Sequence, residues 1–108
     1  MKNRGGEDTK ESGYFLASNR NKRSLSLDIS KEKNIKIIKT LLKDCDVFIE
    51  NFKVGSLKKY GLDYQSLSKD FPKLIYCSIT GYGQNGPNSH KAGYDLIAQG
   101  YGGLMSIT

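Results

Sequence analysis

The stretch Leu74-Ile-Tyr-Cys-Ser-Ile-Thr-Gly-Tyr-Gly-Gln-Asn-Gly-Pro87, running on to Lys91-Ala-Gly-Tyr-Asp-Leu-Ile-Ala-Gln99, decides the fold. An apolar, β-branched run ends at Thr80, a glycine-rich loop occupies Gly81 to Pro87, and an apolar-periodic segment starts near Gly93. That order predicts strand, open loop and helix. It is the arrangement by which an α/β sheet presents functional groups at the carboxyl ends of its strands.

Working back from it, Leu25, Leu27 and Ile29 alternate with Ser24, Ser26 and Asp28, which predicts a strand with one apolar face. Ser30 is the expected N-cap of the next element. Ile35, Ile38, Leu41 and Leu42 then recur at helical spacing with lysines between them, an amphipathic helix of roughly three turns. Val47-Phe-Ile49 reads as a short buried strand ending in Glu50-Asn51-Phe52. After Gly55, short helices are expected at Ser56–Tyr60 and Leu62–Asp70, with Phe71-Pro72 as punctuation before the strand at Leu74. The fold class is therefore α/β, with three parallel strands joined by crossovers. Residues 1–12 read as a polar arm, with a helical turn beginning at Gly13, and residues 13–108 as part of a domain. The apolar, glycine-rich end at Gly100–Thr108 is expected to belong to a longer chain.

The chain has 108 residues, with 17 Lys and Arg against 11 Asp and Glu, a formal charge of +6. Two readings of this excess stand: a solvated lysine-rich surface, or attraction for a polyanion such as nucleic acid or a phosphorylated cofactor. The cations are dispersed apart from Asn19-Arg-Asn-Lys-Arg23. No run approaches the ~18 apolar residues of a membrane span, and no signal-peptide core is present at Met1-Lys-Asn-Arg. A soluble, reducing compartment is expected: cytoplasmic, or the mitochondrial matrix in a eukaryote. Cys45 and Cys77 form no CxxC pair, so neither a metal site nor a disulfide is predicted, and both read as small buried hydrophobes.

Gly81-x-Gly83-x-x-Gly86 matches a dinucleotide fingerprint in letters, but Pro87-Asn88-Ser89-His90 follow where the helix should open. The loop either lets a substrate approach backbone or is a plain surface turn. Asn51 offers both donor and acceptor and Phe52 an apolar plate, suited to an adenine or pantetheine-like ligand, unless Phe52 only roofs the core. Lys58 and Lys59 are phosphate contacts or simply solvated. Asp95 and Gln99 share a face if the segment is helical, and Asp95 sits at its amino end, where capping alone would explain it. His90, the one histidine, has no metal-spaced partners and is assigned no catalytic role.

Three stretches together resemble the class III CoA-transferases of the formyl-CoA transferase and carnitine-CoA transferase type. They are Asn19-Arg-Asn-Lys-Arg-Ser-Leu-Ser-Leu-Asp28, Val47-Phe-Ile-Glu-Asn-Phe52 with Gly55, and Ile75 to Pro87 continuing through Ala92-Gly-Tyr-Asp95. The resemblance implies a Rossmann-like parallel sheet with flanking helices, of which this chain holds an internal part, and an intertwined homodimer. It implies transfer of coenzyme A between carboxylic acids through an aspartyl-CoA thioester, with acyl-CoA and a carboxylic acid as partners and with no metal, nucleic acid or membrane involved. None of the aspartates here matches the nucleophile, so the isolated stretch is expected to be inactive. Carried over, Leu27, Asn51, Phe52, Ser56, Lys59 and Tyr60 are the implied CoA contacts, and Tyr94 and Asp95 the implied auxiliary active-site pair. The related alpha-methylacyl-CoA racemases share the patterning but place a histidine where this chain has Tyr94, and a phenol with pKa near ~10 is poorly suited to moving an α-proton. A racemase and a non-enzymatic basic module binding nucleic acid are the alternatives to the transferase.

Overall fold

The computed structural model describes residues 12–108. The expected polar arm lies outside the described residues except for Ser12, whose hydroxyl accepts from Phe15 N–H at 3.2 Å. It thereby caps helix α1, Gly13–Ser18. Next come α2, Glu32–Leu41, a helical turn at Leu42–Asp44, and strand β1, Val47–Glu50. A second turn at Lys58–Tyr60 leads to α3, Tyr64–Asp70, and strand β2, Ile75–Ser78. Helices α4, Asp95–Tyr101, and α5, Leu104–Ile107, follow.

The strands pair in parallel, Val47 opposite Ile75 and Glu50 opposite Ser78. Parallel neighbours need a long crossover, and here α3 supplies it. The chain is thus α/β, as expected, but with two paired strands among the described residues rather than three. Ser24–Asp28 is not a strand. Alternation is satisfied there, yet among the described residues no second segment pairs with it, and Asp28 bends the chain instead. Its carboxylate accepts from Ser30 N–H at 2.9 Å and its carbonyl from Asn34 Nδ2 at 2.9 Å. Those bonds also move the cap of α2 from Ser30 to Lys31. The Ser30 contact holds the Asp28 carboxyl below its ordinary range.

The core is a cluster of four buried leucines, Leu42, Leu57, Leu62 and Leu67. Ile35 and Ile38 of α2 pack on it from one side, and Phe48 and Tyr76 on the inner face of the sheet pack from the other. The Phe48 and Tyr76 rings lie 5.3 Å apart. Tyr76 also donates its hydroxyl to the Leu62 carbonyl at 3.0 Å, which ties the sheet to the loop entering α3. The outer face of the sheet carries Val47, Ile49, Ile75 and Cys77, all exposed. Both cysteines are exposed, against the expectation that they are buried, because strand alternation places Cys77 on this outer face and Cys45 lies in the turn before β1.

The segment beyond β2 loops out and returns to itself at two glycines. A Cβ on Gly81 would fall 2.8 Å from Gly93 N and closer still to Gly93 Cα. The reverse substitution meets the same backbone. Only a pair of glycines permits this approach. A loop whose ends meet in this way is an Ω-loop.

Gly81→Ala or Gly93→Ala is therefore expected to force the loop open at a cost of about 1–3 kcal/mol, measured as a lowered urea midpoint. Gly13→Ala, where a Cβ meets nothing within 4 Å, serves as the control. A second expectation concerns Tyr76. Burial, then the nearby Glu50 and Asp63 carboxylates, push its phenol up to about 12 from 10.0. An unfolded chain loses that proton first, so stability is intact below pH ~10 and falls as pH rises from ~10 towards ~12, by about 1 kcal/mol after allowance for solvent screening. Alkaline denaturation of Tyr76→Phe, compared with the parent, measures this loss, which the variant lacks.

Candidate functional site

Because β1 and β2 are parallel, the segments leaving Glu50 and Ser78 emerge at one edge of the sheet. They bound a cleft of about 300 Å³, within the usual range for small-molecule sites. Asn51 to Val54 form one rim, Ile79 to Gly81 the other, and Ser89 to Gly93 of the returning Ω-loop close the side. The Gly81–Gly93 contact is what brings this third wall into place.

The lining is basic. Lys53, His90 and Lys91 face the cleft, and no acidic side chain among the described residues lines it. Thr80 and Ser89 add hydroxyls, and Phe52, 50% exposed, adds an apolar ring. Such a cleft suits an anionic ligand with a flat or apolar portion. Among the described residues no group of three His, Cys, Asp or Glu side chains is placed to hold a metal ion.

Of the residues proposed from the sequence, Asn51 and Phe52 line the cleft. Ser56 does not line the cleft but donates its hydroxyl to the Lys53 carbonyl at 2.6 Å, so it braces the rim. Lys59 and Tyr60 lie on the following turn, with the Lys59 Nζ 4.8 Å from the Tyr60 ring centroid and Tyr60 packed on the leucine core. Leu27 is half-buried on the extended segment before α2. The cleft lining ends at Gly93, one position before Tyr94. Tyr94 is 68% exposed and is the N-cap residue of α4. Asp95 follows in the first turn and accepts from Gln99 Nε2 at 2.9 Å, so these two share a helix face as expected. The glycine-rich loop opens no helix directly, since α4 begins only at Asp95, which is the wrong architecture for a pyrophosphate-binding turn.

Sequence reasoning missed Lys53, His90 and Lys91 as lining residues. It also missed Glu50, 8% exposed, whose carboxylate accepts from Phe52 N–H at 2.7 Å and from the Ser78 hydroxyl. A carboxylate at the last position of a strand, directly before Asn51-Phe52, was the available signal for Glu50. His90 carried none.

Known proteins share this chain's pattern. The sequence profile of CoA-transferase family III matches residues 2–108. A mouse succinyl-CoA:glutarate CoA-transferase is 53% identical over 91% of this chain and 22% of its own length. A succinate–glutarate CoA-transferase of Agrobacterium fabrum is 54% identical over 88% of this chain and 24% of its own. The chain thus spans about a quarter or less of the length of these curated relatives. A crystal structure of a CAIB/BAIF family protein from Brucella suis superposes with a TM-score of 0.84 at 52% identity, covering 90% of this chain and 26% of that one. With the profile matched to the final residue, and both sequence and backbone agreeing, the chain belongs to CoA-transferase family III.

Proposed function

We propose that this chain builds part of the acyl-CoA cleft of an enzyme that moves coenzyme A between carboxylic acids. The observation that carries the reading is a basic cleft at the carboxyl edge of a parallel sheet, lined by no acidic side chain among the described residues, with Asn51 and Phe52 on its rim. Phe52 offers a plate for the adenine or the pantetheine arm, and Asn51 a donor and an acceptor for their polar edges. Lys53 and Lys91, with Lys59 on the turn beyond, attract the phosphates as mobile point charges. The remaining contacts of this reading are Leu27, Ser56 and Tyr60. The relatives' names point to short dicarboxylic acids, of the size of succinate and glutarate, as the acids exchanged.

The chemistry of this reading is covalent catalysis by a carboxylate nucleophile. An aspartate attacks the thioester carbonyl and expels the CoA thiolate, giving a mixed anhydride. The thiolate then attacks the aspartyl carbonyl, releasing the first acid and leaving an aspartyl-CoA thioester. The acceptor acid reverses both steps. No aspartate among the described residues lines the cleft, and the nucleophile is assigned to a part of the protein outside them. Tyr94 and Asp95 are assigned auxiliary roles beside it, and an intertwined homodimer in the cytoplasm or mitochondrial matrix completes the proposal. Relatives named as transferases, together with Tyr94 in place of an imidazole, favour transfer over racemisation.

Titration of the natural protein with CoA tests the reading. Affinity is expected to fall as salt is raised, since the phosphate contacts are exposed. Lys91→Glu and Lys59→Glu are each expected to weaken binding about fivefold or more at low salt, from reversal of one charge near a phosphate. Affinity unchanged in both variants would count against the proposal.

A further inference from the structure

Glu50 is the buried charged residue of the described chain, and its two oxygens are engaged by Phe52 on one rim of the cleft and by Ser78, which directly precedes the other rim. Oε2 accepts from Phe52 N–H at 2.7 Å, which fixes the rim that follows β1. Oε1 accepts from the hydroxyl of Ser78, the last residue of β2. Ser78 Oγ in turn accepts from Gln84 Nε2 at 2.5 Å, and Gln84 belongs to the glycine-rich loop. One carboxylate therefore ends two tethers, one to the Asn51–Val54 rim and one, through the end of β2, to the glycine-rich loop.

We infer that Glu50 is the positioning residue of this cleft: through Phe52 it holds the Asn51–Val54 rim, and through Ser78 and Gln84 it holds the glycine-rich loop, so that both rims keep the spacing an acyl-CoA needs. The inference rests on the acyl-CoA reading for the identity of the ligand, but the coupling of the rims does not.

The polarity of the chain is what makes it specific. Ser78 has one hydroxyl proton, given to Glu50, and this leaves its lone pairs for the Gln84 amide. Position 50 must accept and position 84 must donate. A buried carboxylate is tolerated only where such bonds are made. Gln84 is exposed, so its substitution disturbs the tether without emptying the core.

The test exchanges the polarity. Gln84→Glu sets two carboxylates against one proton, and the loop is released. Adding Glu50→Gln reverses the chain: the amide at position 50 donates to Ser78 Oγ, the Ser78 hydroxyl donates to the carboxylate at position 84, and Phe52 N–H keeps an acceptor. Backbone hydrogen exchange of the natural protein without ligand, and steady-state kinetics with an acyl-CoA, are the two readouts. Gln84→Glu is expected to speed exchange across residues 81–93 about tenfold and to raise KM about tenfold, with kcat within about twofold, as loss of the Gln84–Ser78 hydrogen bond implies. The double variant is expected to return both to within about threefold of the parent. Unchanged exchange in Gln84→Glu, or a double variant no nearer the parent than the single one, overturns the inference. Exchange that responds as expected while acyl-CoA kinetics stay flat in every variant upholds the coupling and removes the acyl-CoA reading instead.

Discussion

The in-phase parallel pairing of β1 and β2 is the constraint on which the rest depends. Backbone bonds from Ile75 N–H to the Asp46 carbonyl and from Ile79 N–H to the Glu50 carbonyl, both 2.9 Å, bracket the pair. With Glu50 opposite Ser78 at the final rung, the two strands finish side by side and their loops leave at one edge. Antiparallel pairing would send one of those loops to the far edge, and no shared cleft would form. The same pairing stacks Phe48 beside Tyr76 on the inner face, where the leucine core and the Tyr76–Leu62 hydrogen bond secure it.

How much of this was legible depended on how local each signal was. The strands at Val47 and Ile75, the helix holding Ile35 and Ile38, and the helix at Asp95 were readable because hydrophobic period and nearby Gly or Pro act over a few residues. Ser24 to Ile29 misled because alternation is necessary for a half-buried strand but does not supply a partner. In the site, Asn51 and Phe52 were readable from their place after a strand. His90 and Lys91 were not, since they reach the cleft only through the Gly81–Gly93 contact, a closure between residues distant in sequence. The Glu50–Ser78 bond spans 28 residues and exists only once the sheet has formed.

The charge of +6 is likewise unevenly spent by the fold. Lys36 pairs with Glu32 along α2 at 2.9 Å, and Lys39 reaches Asp70 of α3 at 2.8 Å. These are exposed pairs, worth about 0–1 kcal/mol each, and they place acids beside lysines far from the cleft. Lys53 and Lys91 at the cleft are left with no acid beside them among the described lining residues. The sign of the local field at the opening is therefore set by where the acids went as much as by the number of lysines.

The exposed outer face of the sheet has a practical consequence. Cys77 stands there next to Ile49, its cross-strand partner in the pairing, and its thiol is open to solvent in the described chain. An environment-sensitive fluorophore attached to Cys77, with Cys45 replaced by Ser so that one site is labelled, would change colour whenever other polypeptide covers that side of the sheet.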